Sequence, residues 1–172
     1  PLLAAYGVGF CVLFSQVATF TYAGLYLSQA PFNLGAAALG TLYAVFLLAL
    51  VVIPVAGRLS KARPQSQLLT GAVALGICGS ALTLLPSLWL IVLGLALSST
   101  GVFLAQASAN AYIATTAGPD KSGAVGLYLT GYYLGGSAGA VAPAMLWNQW
   151  GWPGCVALVA GFQLLSLAIA LL

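Results

Sequence analysis

"GRLSKARP", residues 57–64, holds Arg58, Lys61 and Arg63, three of the four cationic side chains in a chain of 172 residues. Long apolar runs flank it on both sides, and the fourth cation, Lys121, stands in a second polar break, "AGPDKSG" (117–123). Charges that gather in short joints between apolar runs mark loops, and the excess of Lys and Arg on cytoplasmic loops makes them a topology signal.

The rest of the composition agrees with a membrane setting. A soluble domain carries roughly a quarter charged residues; here the share is 3%, with 62% hydrophobic and a mean hydropathy of +1.10. Lipid leaves no water to satisfy a backbone, so long apolar runs there are helical. Runs of about twenty residues are long enough to cross. Divided at Gly, Pro and polar clusters, the chain gives six expected spans over 3–29, 35–56, 66–85, 88–116, 122–146 and 152–172. The fold class expected is therefore all-α integral membrane, with six transmembrane helices in one domain over 1–172.

The two cationic joints follow spans two and four. Joints separated by two crossings share a face, which the positive-inside bias makes cytoplasmic. Both chain ends then lie on that face of the inner (plasma) membrane. Tryptophan favours the headgroup region, and Trp89, Trp147, Trp150 and Trp152 fall at the joints after spans three and five, on the opposite face.

Several function classes are excluded. Histidine is absent and Asp120 is the sole acid, which removes the usual general bases, triads and most metal sites; no catalytic residue, metal or cofactor is expected, and the chain does not read as an enzyme. A net charge of +3 confined to two joints is not the spread of cations that tracks phosphates, so nucleic acid is not an expected partner. Cys11, Cys78 and Cys155 lie inside apolar runs without metal spacing and read as small buried apolar residues. The start at Pro1, apolar from the outset, leads us to expect a piece of something longer.

Polar residues on one face of a lipid-embedded helix point to a partner helix or a wet cavity. Span one places Ser15, Gln16, Thr19, Tyr22 and Tyr26 within one arc, and span four places Ser99, Phe103, Gln106 and Asn110 along one stripe. Thr130, Tyr133 and Ser137 make a weaker stripe on span five. Two readings stand side by side: hydrogen-bonded helix packing, or the lining of a solute cavity. The cavity candidates are Gln16, Thr19, Tyr22, Tyr26, Ser99, Phe103, Gln106, Asn110 and Tyr133. Span five also aligns Gly131, Gly135 and Gly139 with Tyr128 on one narrow face, a small-xxx-small ladder suited to ordinary helix packing or to a sliding contact with a partner domain. Pro143 is expected to bend or break that helix near its outer end, and Pro54 to do likewise in span two.

With these features in place, the chain resembles the C-terminal six-helix half of a major facilitator superfamily transporter. The loop 57–64 is similar to the superfamily's motif G-x-L-a-D-r-x-G-r: Gly57 and Leu59 match, flanked by Arg58 and Arg63, while Lys61 occupies the place of the Asp and Pro64 that of the second Gly. The charge relay of the fuller motif is not carried over. "KSGAVGLYLTGYYLGGSAGA" (121–140) and "WNQWGWPGCVAL" (147–158) look like the multidrug-efflux-like branch of its bacterial members. The resemblance implies two inverted three-helix repeats, with spans one and four lining a central cavity, spans two and five meeting the N-terminal six-helix half, and spans three and six as scaffold. It implies alternating-access transport of an unidentified small solute, with proton-coupled efflux as the leading direction. Gly131, Gly135, Gly139 and Pro143 are then inter-domain gating candidates. Uptake of a small metabolite, or a structural membrane protein without transport, are the alternatives.

Overall fold

The structure, a computed structural model, describes residues 2–118 and 121–171, with the backbone alone at Ser60 and Lys61. Asp120 and the Lys61 side chain of the loop motif therefore lie outside the described residues. Everything folded within those limits is helical. Helix α1 is Leu2–Ser28. Helix α2 is composite: Ala36–Leu42, a 3-10 stretch Tyr43–Leu48, then Ala49–Ala62. It is followed by α3 (Gln65–Leu82), α4 (Leu88–Thr116), α5 (Lys121–Val141) and α6 (Pro143–Leu171). Among the described residues, four segments are long and apolar enough to cross a membrane: Leu2–Ser28, Ala36–Leu59, Leu88–Thr116 and Pro143–Leu171. The polar opening "QSQ" of α3 and the glycines and tyrosines of α5 dilute those two helices.

The joints follow local chemistry. Pro64 forces the residue before it out of the helical region, and Arg63 is extended at φ −128°, ψ 147°, ending α2. The helix interruption expected at Pro143 is present: α5 ends at Val141, Ala142 N–H bonds Ala138 O at 2.8 Å, and Pro143 opens the next helical run. The reversal comes at Gly151, at φ 62° and ψ −146° inside that run, a conformation only glycine adopts readily. Cys155 Sγ consequently lies 3.8 Å from Pro143 O, although twelve residues of straight helix would separate them by about 18 Å. In α2, Pro54 sits within regular helix, and the irregularity is the 3-10 stretch before it.

Helices α1 and α4 pack side by side, with Ala5, Val8 and Val12 against Val102, Ala105, Ala109 and Ile113 in one buried cluster. Behind this pair lie α6 and α3: Phe14 stacks on Phe162 with ring centroids 3.7 Å apart, and the backbones of α3 and α4 meet through glycines. On the other side, α5 lies along α1, and α2 reaches α4 and α1 through Phe46, whose ring is 6.2 Å from Phe103 and 4.5 Å from Phe20.

The two ends of the bundle differ. At one, Gln65 Nε2 donates to Ser108 O at 3.1 Å, and Leu69, Ile113, Ala124 and Tyr128 share a cluster with Ala5. This brings the joints after α2 and α4 to one end, with Arg58, Arg63 and Lys121 exposed. At the other end Trp152 stacks on Tyr26 at 5.7 Å and 8°, while its Nε1–H donates to both Thr83 O (3.1 Å) and Thr83 Oγ1 (3.2 Å). Cationic joints and aromatic joints thus occupy opposite ends.

Candidate functional site

The polar arcs of α1 and α4 meet at mid-length. Gln16 Nε2 donates to Ser99 Oγ at 3.4 Å, and both residues, with Thr19, are buried. Ser15 is buried too, its hydroxyl donating to Cys11 O at 2.8 Å in its own helix. An amide in a low-dielectric interior is costly unless bonded, so the Gln16–Ser99 pair ties the two central helices together.

Further along α4 the stripe opens. Phe103 and Gln106 are half-buried and Asn110 is exposed. The Gln106 side chain reaches the Tyr132 hydroxyl of α5, and Tyr132 in turn stacks on Tyr128 with centroids 5.9 Å apart. Phe103 meets the α2 aromatic group of Phe46 and Tyr43. Phe103, Gln106 and Asn110 therefore look toward the side flanked by α2 and α5, not toward α3 and α6. Amides and aromatic rings on one such face can hold an amphiphilic solute by hydrogen bonds and stacking, without fixed charge.

The remaining candidates lie elsewhere. Tyr22 donates from its hydroxyl to Ala140 O of α5 at 3.1 Å and lies 5.9 Å from the Trp147 ring; Tyr26 is engaged by Trp152 and Phe32. Both stand at the aromatic end. Tyr133 is 63% exposed on α5, sharing its outward face with Thr130 and Ser137.

The glycine ladder of α5 faces α1 within this chain. A Cβ at Gly135 would run into the carbonyl of Phe10 and one at Gly139 into that of Phe14, while Gly131 sits farther off, over Tyr6 O. Gly9 reciprocates, admitting the Tyr128 ring. That face is occupied, so a contact between α5 and another domain has the opposite, Tyr133-bearing face available to it. Pro143 is buried beside Cys155.

Sequence reading missed several contributors. Tyr43 and Phe46, one turn apart in α2, and Phe20 in α1 form the aromatic flank; their spacing was a readable signal. The α3–α4 crossing uses Gly76, Gly79, Gly94 and Gly101, whose Cβ-less backbones nearly touch. Gln163, a lone amide in α6, belongs to no stripe and left no pattern to find.

Comparison of the sequence with known proteins places the chain in a family. The sequence profile of the Major Facilitator Superfamily matches residues 5–172. The chain is 34% identical over 172 residues to the "Inner membrane transport protein YnfM" of Escherichia coli (strain K12), covering all of this chain and 40% of that protein. It is 30% identical over 171 residues to an "Uncharacterized transporter" of Buchnera aphidicola subsp. Schizaphis graminum (99% of this chain, 40% of the relative). It is 26% identical over 166 residues to the "Uncharacterized MFS-type transporter YybF" of Bacillus subtilis (strain 168) (96% and 41%). The chain thus spans about two-fifths of the length of these relatives. No solved structure matches it. On the profile match across nearly its whole length, the chain belongs to the Major Facilitator Superfamily, a family of transporters and not of enzymes.

Proposed function

We propose that the chain is the C-terminal six-helix half of a secondary transporter, with all six helices crossing the bilayer and both ends cytoplasmic. Its N-terminal partner half, in this reading, closes over the face flanked by α2 and α5. A small amphiphilic solute binds between the halves, and alternating access moves it, with proton-coupled efflux as the direction. The observation that carries this is the open amide and aromatic stripe Phe103, Gln106 and Asn110 on a helix whose opposite face is packed. A helix buried only for stability has no reason to keep an amide at its open face, because an amide turned to lipid is costly. In support, the cationic joints share one end and the tryptophans the other, and the relatives are named as transporters. The proton-titrating group of such coupling is supplied outside this chain, since its sole acid, Asp120, stands in a joint. Gating uses the outward face of α5, with Thr130, Tyr133 and Ser137.

The test is Gln106→Leu and Asn110→Leu in the intact transporter. Transport, read as drug resistance or accumulation of a fluorescent amphiphile, should fall about tenfold or more, the scale of one lost polar contact of about 1.4 kcal/mol, while membrane abundance stays within a factor of two. Equal loss of abundance and transport would assign both amides to packing.

A further inference from the structure

Outside that face, two buried side chains among the described residues lack a hydrogen-bond partner, the Tyr128 hydroxyl against α1 and the Gln163 amide, and only the amide borders a pocket lined by further polar groups. Gln163 of α6 is 6% exposed, and neither its Nε2 nor its Oε1 finds a hydrogen-bond partner in the protein. Its surroundings are shaped for it. Gly76 of α3 lies under the amide, where an added Cβ would meet Nε2 at 3.0 Å and Oε1 at 3.2 Å. The amide borders a small, partly open pocket of about 20 Å³ that is also lined by Cys11 and Ser15 of α1, Gly101 of α4 and Ser166 of α6. Two hydroxyls in this lining already donate elsewhere: Ser15 to Cys11 O and Ser166 to Gln163 O, the latter at 2.7 Å. Both hydroxyl oxygens keep lone pairs to accept with.

We propose that this pocket is the site of one structural water molecule, bound by Gln163 and Ser15 at the crossing of α1, α3, α4 and α6. The volume suits one water, which needs at least about 10–15 Å³ of accessible space and two to four polar partners. A water there accepts from Gln163 Nε2 and donates one hydrogen to Gln163 Oε1, closing a cyclic amide–water pair; its second hydrogen goes to Ser15 Oγ. All three of its bonds satisfy groups that would otherwise be costly to keep in a low dielectric. A bare cation is the wrong occupant: no carboxylate lines the pocket, and an unpaired buried charge costs far more than the neutral oxygens here would return. The bound water ties α6 to α1 beside one close approach of the α3 and α4 backbones, at Gly76 and Gly101, so these four helices move as one body.

Two measurements on the intact protein test this. A density map of the purified transporter at a resolution that shows waters should contain one isolated peak within about 3.2 Å of both Gln163 and Ser15 Oγ. An empty pocket, or an amide turned to bond a neighbouring carbonyl directly, overturns the proposal. The second is a double-mutant cycle read by thermal unfolding in detergent. Ser15→Ala removes the water's acceptor and should lower Tm by about 2–4 °C. In a Gln163→Leu background, where the amide no longer needs the water, the same change should lower Tm by less than half as much. The loss of the local Ser15–Cys11 bond is common to both backgrounds and cancels. Equal shifts in the two backgrounds would show that no shared water couples the residues. The map decides alone if the double variant does not accumulate.

Discussion

Helices α1 and α2 invert the rule that governs soluble proteins. In its most apolar stretch α1 is 56% buried within the bundle, and α2 only 6%. Yet α2 has the highest mean hydropathy of the four long apolar segments, and α1, with Gln16, Ser15 and Thr19 turned inward, has the lowest. In water the most hydrophobic helix would be the most hidden. In lipid the tails are as apolar as leucine, so burying leucine earns nothing, and helices associate through small residues and polar bonds instead. The polar helix is therefore the central one, and the apolar helix is left outside.

Four tests, built on five substitutions, break or sharpen this contrast. The largest effect is expected from a charge on the exposed side of α2. Leu50 is 74% exposed, and Leu50→Arg should cost about 2.5–3.5 kcal/mol of insertion, seen as a severe drop in membrane-fraction abundance. Unchanged abundance would mean that this face of α2 meets water and not lipid. Next comes the close approach of α5 to α1. Gly135→Ala places a methyl on the Phe10 carbonyl and should destabilise by about 1–3 kcal/mol, whereas Gly126→Ala, with nothing near it, should raise or leave Tm unchanged. Similar losses at both glycines would remove the ladder from the packing account. Third, Trp152→Phe keeps the ring but removes the donor to Thr83 O and Oγ1, for an expected loss of about 1–2 kcal/mol. No loss would make that joint a matter of stacking alone. The smallest effect belongs to Val51→Leu on the 65% exposed side of α2, expected within about 0.5 kcal/mol; a larger shift would reveal a packed neighbour there.

Much of the architecture was readable in advance because the signals are chemical and local. Arg58, Arg63 and Lys121 marked one end and Trp147 and Trp152 the other, and the structure separates them accordingly. Pro143 was legible too, since a proline fits the first turn of a helix and not its interior, and it opens a new helical run after Val141, while the reversal falls at Gly151 in the joint between the expected spans five and six. The polar stripe on α4 was legible, but not its division: Ser99 closes onto Gln16 while Asn110 stays open, and only the placement of α2 and α5 decides which member faces which neighbour. The ladder Gly131, Gly135 and Gly139 was visible as a close-approach surface, whereas its partner was not, because spacing names a face and not what covers it. Gln163 was invisible for a related reason, since a single amide has no periodicity.

The claim beneath all of this is that the chain threads a bilayer with its cationic joints on one side and its aromatic joints on the other. Single cysteines in place of Arg63, Lys121 and Gln149, each in a background where Cys11, Cys78 and Cys155 are alanine, test it with a membrane-impermeant thiol reagent on intact cells and on inverted vesicles. We expect Arg63→Cys and Lys121→Cys to be labelled in inverted vesicles alone and Gln149→Cys in intact cells alone; labelling of Lys121→Cys and Gln149→Cys from the same side would contradict it.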